Sequence, residues 1–334
     1  DMTSSLVGSE MCIRDRYYVD ENELWAAFNF VFSDACAKRS TYKFGLIKSI
    51  LDNILSVTQS DRGFELSYRD IFTKFSINYW NLITKYHLKQ IHNHARYSAS
   101  QIERIFDQAL RRTAVIENFE FDSLSEKDKE WIIDNVTKEC KRCVIGALYE
   151  DFDGQLYGFE LKADGLWINP VAYEFMLKYK PKIEQLNYYA WAKFLEKVNS
   201  GDALSGVLGK LELSTPRRSD LSVYRKILEL EFEGPTCFYC GKKLKTAAHV
   251  DHVIPWSFVK SDHLWNFVLA CPTCNSKKKD KLPSKENLSK VIVRNEQFIS
   301  KPKSIVEVEF RGYQADLMWK IWKYAKLSGL REMK

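Results

Sequence analysis

No stretch of eighteen consecutive apolar residues occurs in the chain, so it lacks the usual signature of a membrane-spanning helix. Internal repeats and low-complexity tracts are also missing, which excludes solenoid arrays and disordered repeat proteins. Disulfide chemistry has little to work with. Of eight cysteines, four fall into two close pairs far along the chain, and the others are too few and too irregular for a disulfide framework. Nothing resembles a secretory leader once the first residues are set aside. Those residues need separate treatment. The run SLVGSEMCIRDR, Ser5 to Arg16, resembles the translation of a transposase-type sequencing adapter, and the chain starts at Asp1. Residues 1–16 are therefore expected to be an unstructured artefact that replaces the native start, with Cys12 carrying no biological meaning. A soluble, cytoplasmic protein is expected.

What the chain does contain is enough apolar and aromatic material, 45% and 14% of residues, to fill the cores of two or three domains. Its charge is uneven. From residue 214 to the end there are 23 Lys and Arg against 13 Asp and Glu, a net of +10, which leaves about −4 for the first 213 residues of a chain whose total is +6. A basic C-terminal third suits a polyanionic partner.

The residues that demand a particular chemistry lie between Thr236 and Pro283. Cys237-x-x-Cys240 and Cys271-x-x-Cys274 are thiolate pairs of the spacing that points two sulfurs at one tetrahedral ion, and together they imply a structural zinc. Gly241 follows the first pair as a knuckle turn needs, and Pro272 and Asn275 mark the start of a helix at the second. A module this small has little core of its own, so zinc would supply about 10 kcal/mol of its folding energy. Between the pairs lie His249, Asp251, His252 and Asn266, and Asn275 follows the last cysteine. A purely structural zinc ribbon has no need of them.

This stretch resembles the HNH nucleases. Asp251-His252 matches the acidic-His pair of the first strand and Asn266 the middle Asn, while Asn275 occupies a third position that often holds His. The resemblance covers about fifty to sixty residues and implies a ββα-metal core at 230–290, with His252 as general base and Asn266 keeping the loop and the His252 ring in register. It further implies Asp251 and Asn275 as oxygen ligands of a catalytic divalent ion, Mg²⁺ or Mn²⁺, the Asn favouring magnesium over a transition metal. Cleavage leaving 5′-phosphate and 3′-hydroxyl ends follows from the same likeness. Imidazole suits the base, because it takes up a proton near neutral pH. His249 reads as a structural or phosphate-contacting side chain, and Lys277, Lys278, Lys279 and Lys281 as phosphate-neutralising residues, with Lys242, Lys243 and Lys245 on the knuckle side.

Ahead of this module the pattern is mainly helical. Leu24, Trp25, Phe28 and Phe32 recur at helical spacing, as do Phe44 to Leu55 and Tyr68 to Tyr86. The stretch FSDACAKRSTYKFGLIKSILDN resembles the leading helices of some bacterial proteins with a C-terminal HNH module. There Lys38, Arg39 and Lys43 read either as DNA contacts or as a solvated helix end. His92-x-His94 lacks helical ligand spacing and an acidic partner, and Cys140-x-x-Cys143 reads as structural. Ser125-x-x-Asp128 starts a helix. Asp153-Gly154 and Asp164-Gly165 predict a hairpin or three-stranded meander over 148–168, in either a winged-helix-like unit or a packing subdomain. Asn169-Pro170 caps a further helix, which Pro181 is expected to kink or split. Residues 201–216 predict a linker, followed by a basic helix over 217–230, and residues 314–327 an amphipathic helix.

The expected fold class is α+β: a mainly helical recognition or partner domain over 17–200, the linker, and a zinc-stapled HNH domain over 217–334. The expected function is a DNA endonuclease that nicks one strand per site, in bacterial defence against foreign DNA. Alternatives are an RNA substrate, a CRISPR-associated HNH-fusion interference subunit, a restriction or mobile-element nuclease, and a non-catalytic zinc-binding adaptor. A defence-system protein or a guide complex is a candidate partner.

Overall fold

A computed structural model describes residues 19–92, 98–113, 119–160, 162–214, 221–231, 235–244, 248–300 and 308–333. The adapter-like residues 1–16, His94 and Lys245 lie outside them. The described residues divide into two compact units, one made of those up to 176 and those within 182–216, the other of 177–181 and those from 217 onward. Helices dominate, a small antiparallel sheet sits in the first unit and a β-β-α element in the second, an α+β protein. No described helix is long and apolar enough to cross a membrane.

The first unit opens with α1 (Glu21–Phe32), whose N-terminus carries a reciprocal capping box between Asp20 and Glu23. Next comes α2 (Tyr42–Asn53), buried on every side from Phe44 to Asn53. It packs on α3 (Tyr68–Thr84) so closely that a Cβ on Gly45 would lie 2.3 Å from the Tyr79 ring. That approach lets the Tyr79 hydroxyl donate to the Thr41 carbonyl at 2.8 Å. Enclosure makes the charge on Lys48 costly, and it is met by Asp52 one turn on and by Glu184 at 3.2 Å, with Asn78 donating to Asp52 at 3.0 Å.

Between α2 and α3 lies a hairpin absent from the sequence reading, β1 (Thr58–Ser60) and β2 (Gly63–Ser67). Then come α4 (Gln101–Thr113) and α5 (Glu126–Cys140), the latter capped by Ser125, whose hydroxyl accepts from the Asp128 N–H. A π-helical turn, Lys141–Ile145, joins α5 to α6 (Gly146–Asp151). The meander expected over 148–168 is thus shorter than its pattern suggested: its first residues are helical, and only β3 (Tyr157–Phe159) and β4 (Gly165–Ile168) are strands. Nor does that hairpin stand alone. The strand order is β1-β2-β4-β3, with β2 joined to β4 in the register Phe64 to Ile168 and Leu66 to Leu166. One face of alternating apolar residues is sealed in this way across about a hundred residues of chain.

Asn169 caps α7 (Pro170–Val198) through its side-chain oxygen, and the helix runs unbroken through Pro181. Of the expected kink or split, the split does not occur. The linker expectation also needs correcting. Gly201 and Gly206 adopt positive φ, but they punctuate a 3₁₀ turn and α8 (Val207–Ser214), which buries Val207 and Leu211 against the first unit and packs on α3. Glycines that resembled a flexible spacer are the turn residues before a packed helix.

The second unit contains α9 (Ser222–Glu231), β5 (His249–His252), a short helix α10 (Trp256–Val259), β6 (Phe267–Ala270), α11 (Pro272–Lys278), α12 (Lys285–Ile299) and α13 (Ala315–Leu327). The last two pack together, and Trp322 donates its indole N–H to the Pro283 carbonyl at 3.0 Å. In α13, expected from the sequence as an amphipathic helix, Leu317, Ile321, Trp322 and Tyr324 are buried, while Trp319 is exposed.

Candidate active site

β5 and β6 pair antiparallel with Asp251 opposite Val268 and His252 opposite Phe267. Asp251 and His252 are consecutive on β5, and each meets different neighbours. α11 begins directly after β6, with Cys271 as its N-cap and Pro272 in its first turn.

The cysteines form one cluster, with all four sulfurs within 4.8 Å of one another and Cys240 Sγ 4.0 Å from Cys271 Sγ. Sulfurs bound at about 2.3 Å to a tetrahedral zinc lie about 3.8 Å apart, so the donor set fits that ion. The knuckle reaches this geometry through its backbone. Gly241 takes φ 68° and donates to the Cys237 carbonyl at 2.8 Å, the Cys237 N–H returns to the Lys242 carbonyl, and Phe238 N–H docks on Leu269 of β6 at 2.8 Å. At the second pair, the Cys274 N–H donates to Cys271 Sγ, the main reason that thiol is lowered to about 7. Burial and the neighbouring sulfurs push Cys274 up to about 12. One acidic and one reluctant thiol in a crowded set is an arrangement that a central dication would convert to thiolates.

Asp251 is 7% exposed and already engaged. Tyr239 donates its hydroxyl to Oδ2 at 2.6 Å, and the Lys278 ammonium lies 3.2 Å from the same oxygen. Burial, then the adjoining carboxylate, holds the Tyr239 phenol well above its ordinary range, so it remains a donor. Lys278 departs from the expectation of a phosphate-facing lysine. It is 1% exposed, and its ammonium also donates to the His252 carbonyl at 2.5 Å. The rotation of about 100° per helical residue points it inward, away from the α11 face that its neighbours present to solvent. Lys277, Lys279 and Lys281 are exposed.

His252 is 6% exposed, with its ring set edgewise to Phe267 at 4.6 Å and to Trp256 at 5.2 Å. Its Nε2 lies 2.9 Å from Asp262 Oδ1. Asn266 is fully buried and clamps the chain just past His252. Its Oδ1 accepts from the Ile254 N–H at 2.8 Å, its Nδ2 donates to the Ile254 carbonyl at 3.0 Å, and its own carbonyl takes the Val253 N–H. At the start of β5, Asn275 Nδ2 lies 3.0 Å from His249 Nδ1. These two line an open groove of about 360 Å³ together with Ser222 and Arg225 of α9.

Sequence reasoning missed Asp262, Tyr239 and Arg294. Arg294 of α12 is buried and donates to the Phe267 and Trp265 carbonyls, while Asn295 donates to the Trp265 carbonyl at 2.9 Å, so α12 fixes the turn that carries Asn266. Asp262 lies ten residues past His252 in a loop without periodicity, and Tyr239 is one of the two spacer residues between cysteines. Neither position carries a spacing signal.

A β-β-α element stapled by four cysteines, with an imidazole and a carboxylate adjacent on its first strand, is the architecture of a metal-site nuclease module. Residues 237–281 match the HNH endonuclease family. No curated protein and no solved structure matches the chain.

Proposed function

We propose that the chain is a metal-dependent endonuclease that hydrolyses phosphodiester bonds in DNA, cutting one strand per engagement, and that it serves in bacterial defence against foreign DNA. The observation that carries the nuclease reading is the setting of His252: a buried imidazole with one nitrogen held by a carboxylate, beside an acidic residue, within a segment that matches a nuclease family. His252 takes the proton of the attacking water. The water oxygen bonds to phosphorus, the bond to the 3′ oxygen breaks with its electron pair, and that oxygen takes up a proton to leave 3′-hydroxyl and 5′-phosphate ends.

Asp251 and Asn275 offer hard oxygen donors, the chemistry that suits Mg²⁺ or Mn²⁺. When bound, such an ion supplies charge neutralisation at the phosphate and the leaving oxygen. The exposed Lys277, Lys279 and Lys281 and the groove beside His249 accept the flanking backbone. The zinc cluster keeps the knuckle and α11 in place and takes no part in bond breaking. The defence role rests on the union of this module with a helical unit, the arrangement expected of a recognition or partner domain.

Plasmid relaxation by the purified chain in Mg²⁺ or Mn²⁺, with His252→Ala and a zinc assay in parallel, tests the reading. Nicked circles that vanish in His252→Ala while zinc stays bound support it. Zinc binding with no cleavage of DNA or RNA would turn the reading toward a zinc-dependent adaptor.

A further inference from the structure

We infer that Asp262 is a positioning residue for His252, fixing the ring and its tautomer so that Nδ1 is the nitrogen that receives the proton of water. The inference rests on the nuclease reading and adds a residue to it. A carboxylate oxygen accepts a hydrogen bond, so the 2.9 Å contact places the imidazole proton on Nε2. In neutral imidazole the lone pair is then on Nδ1, which has no hydrogen-bond partner among the described residues. Phe267 and Trp256 close on the ring edgewise and leave little freedom to turn it over. A base whose tautomer and ring orientation are set in advance presents its lone pair to water without first reorganising.

Asp262 is suited to this because its loop is held on both sides. Lys260 turns the chain through φ 50°. Ser261 and His263 share a 2.8 Å hydrogen bond between Oγ and Nε2, and the His263 ring stacks on Trp265 at 4.7 Å. The His263 carbonyl accepts the Asn266 N–H at 2.9 Å, so the loop that presents Asp262 runs into the residue that clamps Ile254. The Asp262 side chain is 11% exposed and that of His252 7%, which shields their contact from competing water.

Asp262→Asn is isosteric and can offer its amide N–H to the ring, favouring the opposite tautomer, while Asp262→Ala removes the partner. Both should lower kcat for plasmid nicking on the order of 10–100-fold, part of the roughly 10²–10⁴-fold that general-base catalysis contributes, with KM unchanged within about twofold and zinc retained. Asp262→Ala introduced into His252→Ala, with cleavage assayed in imidazole, should cause no further loss, because the ring through which Asp262 acts is gone. A spectroscopic readout is independent of turnover. The chain has only six histidines, so ¹⁵N-imidazole spectra of the full chain can be assigned to His252 by difference against His252→Ala. They should show an Nε2–H tautomer in the parent and a changed population in Asp262→Asn.

Equal losses in both backgrounds, or an unchanged tautomer with unchanged kcat in Asp262→Asn, would overturn the inference while leaving the nuclease reading intact. A parent chain that cuts no nucleic acid would sink both.

Discussion

Asn266 and Asn275 carry the same side chain in one module, and their surroundings predict opposite consequences of losing it. Asn266→Ala strips a buried clamp. The Ile254 N–H loses its acceptor at 2.8 Å and the Ile254 carbonyl its donor at 3.0 Å, in a place with no exposure to water. A buried group left unpaired costs about 1–3 kcal/mol, so two predict a loss of about 2–6 kcal/mol. Asn275 lies on the groove side of α11, half exposed, with His249 as its hydrogen-bonding neighbour. Asn275→Ala should therefore change stability by less than about 0.5 kcal/mol. The functional effects should run the other way. Asn275→Ala should weaken Mn²⁺ binding to the full chain and lower nicking through that loss, whereas Asn266→Ala should lower nicking by loosening the loop behind His252 and leave Mn²⁺ affinity of the folded fraction close to the parent's. Urea unfolding followed by hydrogen exchange at the β5 and β6 amides measures the first pair of effects, and calorimetric titration with Mn²⁺ the second. If Asn266→Ala stays within about 0.5 kcal/mol of the parent, the two hydrogen bonds to Ile254 do not hold the loop. If Mn²⁺ affinity falls in Asn266→Ala and persists in Asn275→Ala, the two residues exchange roles.

Chelation of zinc should release four reactive thiols and abolish hydrogen-exchange protection at β6, because the knuckle docks there through Phe238 and Leu269; retained protection would show that the core stands without metal. Glu309 is held above its ordinary carboxylate range by burial, so the folded state keeps its proton more readily than the unfolded state. Stability from that proton is present below the ordinary Glu value and is lost as pH rises through the raised one. Glu309→Gln should flatten this fall and be more stable than the parent at neutral pH, which thermal melts across pH 4–8 would detect. Lys278→Met removes the ammonium from the buried Asp251, a loss of about 3–5 kcal/mol without added metal. It should also give a larger rise in melting temperature with Mn²⁺ than the parent shows, since the freed carboxylate gains a cation; an equal rise in both would separate Asp251 from the ion.

The parts of this protein that spacing dictates were legible in its sequence. Paired cysteines must point at one centre, and helical stripes such as Leu24 and Phe28, or Ile71, Phe72 and Phe75, must be buried. What could not be read is what depends on partners distant in the chain. The sequence shows short alternating runs near 157–168, but that β4 pairs with β2 is decided by an apolar face completed from a hundred residues away. Lys278 looks like its exposed neighbours until a helical turn places it beside Asp251. Gly201 and Gly206 have the composition of a spacer, and only Val207 and Leu211 packing inward distinguishes a turn before a helix from a linker. Pro181 would break an isolated helix, yet in α7 the flanking turns bury Phe175, Met176, Leu177 and Ile183, and that packing outweighs one missing hydrogen bond.

The module that matches a family is shorter than the structure that holds His252 and Asn266 in place. Within residues 237–281 lie the cysteines, His252, Asp262 and Asn266, but the carbonyls of Trp265 and Phe267, on either side of Asn266, receive their hydrogen bonds from Arg294 and Asn295 on α12. Burial draws the Arg294 guanidinium down to about 10, and at neutral pH it is still charged and donating. Phe267, whose ring abuts His252 at 4.6 Å, is flanked by Tyr224 of α9 at 4.8 Å. His252 therefore rests on a ring supported from a helix before the matched segment and on a turn pinned from a helix after it. Excised at its family boundaries, the segment would leave those carbonyls without their donors and Phe267 exposed on one side, while its four sulfurs could still gather zinc. Metal binding and an ordered His252 are thus separable properties: the first belongs to the cysteines, and the second to the whole C-terminal unit.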